Sequence, residues 1–469
     1  MHINYYVKWI NEFIVMGTIW RLDLNDFTGP KYQRVVDAIE QAIQSGELPA
    51  NSKLPPQRRL ADTIGVTIGT ITRAYALAEQ RGYVEARIGD GTYVKAATHS
   101  QQTDKVNFAT CQPPLTNQTT ALSDTLSAIA KDPHTLNQIM GYQADPLPHQ
   151  LQAFHRWLLG RGIEQQAKQL IFCHGAQQGL FSVLNGLLGK NDLLMYEENC
   201  YPGIRVAANQ LGLNSMSIPL TDSGVDLEAL TILVEQHQPK LLYLTMNNQN
   251  PTCIQYCMAQ RQALLSMAIE HDFYILEDDV NYCLPEEWHL PLWQQAQEHS
   301  PQAQSRVIYL SSLSKAFSGG LRQGFILLPE ALIGPVKLAL HSQCWMVSPL
   351  NMEIAARLIN TPALYGDRDQ LIRERQVLAI AMGERLGLQH RWRGLNGWLK
   401  LKPPLKAHHV VTALAAKGIM VRNGDDFDNH DNHIRISIGA AQSMDQFMKS
   451  LHEVETTIKT LSQSAYSVV

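Results

Sequence analysis

SLSKAFSGGLRQGF, residues 312–325, decides how the rest of the chain is read. The run RVIYLSS before it is rich in β-formers, so Lys315 stands just past a strand end, between a serine pair and a glycine pair. A lysine amine loses its charge readily when desolvated or set beside another cation, and it can then form a Schiff base with an aldehyde. Ser312, Ser314 and Arg322 lie within reach of one phosphate, and Gly319 and Gly320 let the backbone pass close to it. Lysine, hydroxyls, glycines and arginine together point to pyridoxal 5'-phosphate. The competing reading is a polar loop with Lys315 in solvent.

Working outward, four more strand-like runs end in polar residues. QLIFCHGAQQG (169–179) is a strand, a turn at Gly175 and a helix start whose free N–H groups at Ala176 and Gln177 suit phosphate. LLMYEENCYPG (193–203) presents Tyr201, which could stack on an aromatic ring; LLYLTMNNQNPT (241–252) presents Asn250 before a proline; FYILEDDVNY (273–282) ends in carboxylates. Strands alternating with helical stretches make a mainly parallel sheet, and in such sheets ligands gather at the C-terminal strand ends. Taken singly, the acidic triplet also reads as a solvated loop and Tyr201 as a core aromatic.

The N-terminal part has a different grammar. KYQRVVDAIEQAIQSG (31–46) places Val35, Val36, Ile39, Ala42 and Ile43 on one helical face, with Gly46 as its stop. LPPQRRLADTIG (54–65) reads as a short helix opened by Pro56 and closed by Gly65. Thr67 caps a third helix, with Ile71, Ala74, Tyr75 and Ala78 inward and Gly82 at its end. A helix-turn-helix results, and YVEAR, a Gly-Asp-Gly turn and TYVKA add a hairpin, the wing. Between Lys53 and Lys95 seven basic residues face four acidic ones, a local excess suited to phosphate contacts.

Composition sets the outer bounds. The 469 residues allow two or three domains, and 45% hydrophobic with 17% charged residues describes a globular chain. A net charge of −4 confines any nucleic-acid surface to a local patch. Seven scattered cysteines suit reduced thiols in a cytoplasmic protein; Cys253 and Cys257, four apart with no second pair, read as buried thiols, so no metal is expected. The opening MHINYYVKWINEFIVMG is too interrupted for a membrane span or a signal peptide, and Met16 offers an alternative start. Residues 96–125, rich in Gln, Thr, Ser and Pro, read as a linker.

Two resemblances sharpen this reading. The S-x-S-K…G-L-R-x-G pattern resembles the signature of fold-type I aminotransferases, and LPPQRRLA, RAY and RIGDGTYV resemble the winged helix of GntR-type repressors. Their order resembles the MocR subfamily of bacterial transcription regulators. The resemblance implies an α/β chain: an extension over 1–19, a winged helix-turn-helix over 20–97, a linker over 98–125, and an aminotransferase-like pyridoxal-phosphate body over 126–469. That body would hold a large mainly parallel sheet and a small α+β C-terminal part.

The same resemblance assigns roles. Asp278 would face the pyridine nitrogen, Asn250 the phenolic oxygen, and Arg435 of NHIRISIG a substrate or effector carboxylate; a surface position for Arg435 stays open. Tyr142 of GYQADP would reach a partner subunit's phosphate in a homodimer. Arg58, Thr67, Gly69, Thr70, Thr72 and Arg73 would approach the major groove of DNA and Gly89 the minor groove; a winged helix used only for protein contacts is the alternative. Two departures matter: relatives read E-D-D-x-Y where Asn281 takes the tyrosine's place and Tyr282 comes one residue late, and a glycine-rich motif is replaced by GYQADPLPH. The implied function is a pyridoxal-phosphate-dependent regulator sensing an amino compound, with a working aminotransferase as the alternative.

Overall fold

The strand Val307–Ser312 is buried along its whole length, and its residues divide by parity. Val307 and Tyr309 pack into one apolar cluster while Ile308 and Leu310 pack into another, so the sheet carries a core on each face. Its neighbours repeat the division: Leu242 and Ile275 go one way, Tyr243 and Leu276 the other.

The computed structural model describes residues 12–15, 18–21, 24, 27–49, 51–87, 89–95, 105–361 and 363–466, and it divides into two units, Met1–Thr103 and Asp104–Val469. The second holds a seven-stranded sheet ordered Leu170–Cys173, Gly324–Leu327, Val307–Ser312, Tyr274–Asp278, Leu241–Leu244, Leu193–Glu197, Asn214–Ile218. Only Gly324–Leu327 runs antiparallel to its neighbours. A smaller antiparallel sheet (Gln389–Arg393, Asn396–Lys400, His433–Ser437, Arg422–Asn423) packs with helices Ala363–Arg385, Ala407–Ala416 and Met444–Tyr466 around a separate core.

The first unit follows its local signals closely. Helix Lys31–Gln44 buries Val35, Val36, Ile39 and Ala42. Helix Gln57–Ile64 begins after Pro56 and ends where Gly65 takes φ +64°, a left-handed turn that costs glycine little. The hydroxyl oxygen of Thr67 accepts the Thr70 N–H at 3.3 Å and opens helix Ile68–Gln80, which buries Ile71, Ala74, Tyr75 and Ala78. The wing pairs Val84–Arg87 with Gly91–Val94.

Two expectations need correction, and a third falls largely outside the described residues. The linker expected over 98–125 is shorter at its far end: Val106–Asn107 pairs in parallel with Ile419–Met420 as a separate two-stranded sheet, Phe108 is fully buried, and a helix begins at Gln118. The few apolar residues in a polar stretch are the ones that anchor it. Cys253 is buried as expected, but Cys257 is exposed, because it caps helix Met258–Glu270 at its solvent end. The extension expected over 1–19 lies largely outside the described residues; its last part, Glu12–Val15, pairs with Thr18–Arg21 across the expected boundary.

Candidate cofactor site

At the C-terminal ends of the parallel strands lies a cavity of about 390 Å³. Its lining includes Ala176, Gln177, Tyr201, Asn250, Asp278, Ser312, Ser314, Lys315, Arg322 and Arg435, every site residue expected in the body except Tyr142. One end is built to take an anion. Gly175, at φ +77°, opens helix Ala176–Leu187 with no side-chain cap, leaving the first N–H groups of the helix for a ligand. The Arg322 guanidinium lies across Gly175, donating to the His174 carbonyl at 3.4 Å, and a Cβ on Gly175 would overlap it. Gly324 is held to glycine for the same reason, since a Cβ there would meet the Gly175 carbonyl carbon at 2.7 Å. Ser312 accepts the Ser314 N–H at 3.2 Å, starting the short turn that carries Lys315.

At the other end the acidic triplet splits by parity. Glu277 accepts the N–H groups of Leu292 and Trp293 at 2.9 and 3.2 Å, and Asp279 accepts from Asn247, Tyr309 and Trp288; both are structural. Asp278 alone of the three lines the cavity, accepting the Tyr243 hydroxyl at 2.7 Å and the Val280 N–H at 3.1 Å. Burial pushes its carboxyl up to about 6, with Tyr243 acting in the opposite direction. Tyr243 escaped the sequence reading, although its parity in LLYL already places it on the face of Leu276 and Asp278.

The departure after the triplet has a visible consequence. Asn281 lines the cavity and donates to the Asn248 carbonyl at 2.9 Å. Tyr282 turns away, its hydroxyl donating to Asp369 at 2.6 Å under the Arg368 guanidinium. No tyrosine hydroxyl therefore joins Asn250 from this turn.

Arg435 is buried, not on the surface. It donates to Asn250 Oδ1 at 3.0 Å and to the Ala109 carbonyl, and Phe427 lies 5.3 Å from it. Lys315 Nζ donates to the Cys111 carbonyl. The segment 109–111, read from sequence as linker, thus covers Lys315 and Arg435. Arg422 and Phe427 also line the cavity and carried no recognisable sequence signal. Tyr142 is 83% exposed, lies outside the cavity and packs edge-on against Trp345 at 5.4 Å.

In the first unit Arg58, Thr67, Gly69, Thr72, Arg73 and Gly89 are exposed and Thr70 is half-buried. Thr72 ties the two helices by donating to Gln57 at 2.7 Å, and Arg73 stacks over Tyr32 at 4.0 Å. Among the described residues Arg58 and Arg59 have no carboxylate partner, whereas Lys53 is paired with Asp90 at 2.8 Å.

With the geometry in hand, comparison with known proteins is decisive. The aminotransferase class I and II profile matches residues 103–451. The chain belongs to the class I and II aminotransferase family. Ahead of this aminotransferase body, residues 31–94 match the bacterial regulatory proteins of the gntR family, so the chain is built as a MocR-subfamily fusion. It is 25% identical to the HTH-type transcriptional regulator YdeF of Bacillus subtilis over 94% of this chain and 97% of that one. It is likewise 25% identical to the HTH-type transcriptional regulator TauR of Rhodobacter capsulatus, over 85% and 90%. The body shares its fold with LysN, the α-aminoadipate aminotransferase of Thermus thermophilus: TM-score 0.68, 20% identity, covering 83% of this chain and 98% of that one.

The residues present fit the pyridoxal phosphate that this fold implies. The glycine cradle at 175 and 324, an uncapped helix start and Arg322 suit the phosphate; Asp278 suits a pyridine nitrogen, and Lys315 an aldehyde.

Proposed function

We propose that the chain is a transcription regulator that binds DNA through its winged helix and senses an amino compound through a pyridoxal-phosphate site. One observation carries this: a full donor set for the cofactor lies in a body fused to a winged helix whose Arg58 and Arg59 are exposed and unpaired by carboxylates among the described residues. Arg322, Ser312, Ser314 and the N–H groups of Ala176 and Gln177 would hold the phosphate, with Tyr201 against the ring and Asn250 at its phenolic oxygen. When bound, the cofactor supplies an aldehyde for amines and an electron sink.

The chain's own residues do the rest. Lys315 would supply the amine that holds the cofactor, beside the place where an amino ligand would bind. Asp278, its charge steadied by the Tyr243 hydroxyl, holds the pyridine nitrogen protonated. Arg435 receives the ligand's carboxylate, which must compete with the Ala109 carbonyl. Once Lys315 holds the cofactor it no longer donates to the Cys111 carbonyl, and a ligand carboxylate on Arg435 would free the Ala109 carbonyl; both carbonyls lie on the stretch that follows the winged helix in sequence. This is our route from ligand to DNA affinity.

In the winged helix Arg58 and Arg73 would contact phosphates or bases, Thr67, Gly69, Thr70 and Thr72 would face the major groove and Gly89 the minor groove. Ile68, 48% exposed at the helix start, offers an apolar contact of the kind that reads a thymine methyl. A homodimer belongs to the same reading: Met140, Tyr142 and Trp345 are all exposed, and a second copy would cover them and place Tyr142 at the partner's phosphate. A cytoplasmic location is part of the same proposal.

The second reading, a working aminotransferase, is favoured by Lys315, Asp278 and Arg435 sharing one cavity. Against fast turnover stands Asn281, which leaves the phenolic oxygen without a tyrosine from that turn. A gel-shift titration and a ketoacid assay with the same amino donors separate the two. We expect a ligand-dependent change in DNA affinity with slow or absent turnover; robust turnover with unchanged DNA affinity would establish the enzyme instead.

A further inference from the structure

Arg422 and Arg435 face each other in register on adjacent antiparallel strands, and both line the cavity. Residues directly opposite in such a pair have Cβ atoms about 5 Å apart, and like charges there are destabilising. Nothing nearby fully compensates them. Arg435 has only neutral partners, the Asn250 amide oxygen, the Ala109 carbonyl and the Phe427 ring, and its Nε is buried with no hydrogen-bond partner. Arg422 meets one carboxylate, Asp426 at 3.1 Å, with both side chains about 40% exposed. Phe427 lies between 5 and 6 Å from each guanidinium and forms a shared apolar wall.

Of two facing guanidiniums at a cavity wall only Arg422 has a carboxylate, and that carboxylate is loosely held. An ion pair this exposed is worth at most about 1 kcal/mol, so a better placed anion displaces Asp426 cheaply. A ligand with a single carboxylate satisfies Arg435 and leaves Arg422 to Asp426. A ligand with two satisfies both arginines and relieves their repulsion.

Building on the effector reading above, we propose that the effector is an amino acid carrying a second acidic group, its α-carboxylate on Arg435 and its distal carboxylate on Arg422. Arg422 is then the specificity-determining residue. Asp426 holds its guanidinium until the ligand arrives.

Isosteric pairs isolate the charge. Full-length protein loaded with pyridoxal phosphate is titrated with L-glutamate, L-glutamine, L-aspartate and L-asparagine, following visible absorbance and, separately, melting temperature. A charge-assisted contact predicts that the acid of at least one pair binds about ten- to a hundredfold more tightly than its amide. Arg422→Gln should bring that ratio near one with the amide's affinity kept, and Arg435→Gln should weaken acid and amide alike. Asp426→Asn should tighten the acid, a gain that a merely damaged fold does not produce. Acid-to-amide ratios near one in the wild type, or a ratio that survives Arg422→Gln, would overturn the assignment while leaving the effector reading in place. No response to any amino acid would overturn the effector reading, and this inference with it.

Discussion

Asp278→Asn should stabilise the cofactor-free body while weakening its hold on the cofactor, and the two signs together test the site. Burial lifts the Asp278 carboxyl from its ordinary 3.8 to about 6. At 1.36 kcal/mol per tenfold, ionising it inside the fold costs roughly 3 kcal/mol. Because the folded value lies above the unfolded one, the wild type is penalised as pH rises from about 4 to about 6, and the penalty is complete above that. Asparagine fits the same space and carries no charge, its Oδ1 accepting the Val280 N–H and its amide donating to the Tyr243 hydroxyl oxygen. The variant should therefore melt a few degrees higher at pH 8, by about 3 kcal/mol at most, with the difference vanishing near pH 4. Bound cofactor inverts the effect, because a protonated pyridine nitrogen loses its counter-charge; affinity should fall at least about tenfold. Calorimetry of the cofactor-free protein at both pH values, with a pyridoxal phosphate titration, measures both. A variant no more stable at pH 8, or one binding the cofactor as tightly as wild type, would refute this account of Asp278.

Further outcomes follow from other parts of the molecule. Lys315→Ala should lose the visible absorbance and the borohydride-stable attachment of cofactor; if either persists, another lysine carries the cofactor. Gly175→Ala, which sets a methyl against the Arg322 guanidinium at φ +77° and ψ 163°, should cost about 1–3 kcal/mol of backbone strain and weaken phosphate binding in the same titration. Arg58→Ala with Arg73→Ala should weaken DNA binding across sequences and flatten its salt dependence by about one in log–log slope for each phosphate no longer neutralised, measured by gel shift at several salt concentrations. Leu60→Ala, in the core of the winged helix, should cost about 2–5 kcal/mol there and abolish DNA binding with the cofactor's absorbance unchanged; a parallel loss of absorbance would show that the units do not fold independently.

Much of this protein was legible in the chain because the signals are local. Thr67 caps a helix through a neighbour three residues on, and Gly65 ends one by its own backbone freedom. The order of a winged helix and an aminotransferase body, and the roles of Lys315, Asp278 and Arg322, came from short motifs that resemble those of known families, and their place at the C-terminal strand ends from the alternation of strands and helices. Other features depend on pairings between distant residues. Arg435 meets Asn250 across 185 positions, Arg422 faces Arg435 only through strand register, and the stretch at 109–111 covers Lys315 only because Val106–Asn107 pairs with a strand more than three hundred residues away. Low apolar density made that stretch look like a linker, yet its few apolar residues find a core that the rest of the chain must first build. A residue's periodicity is set by its neighbours, whereas its partners across the cavity are set by how the two cores close, and only the tertiary structure decides that.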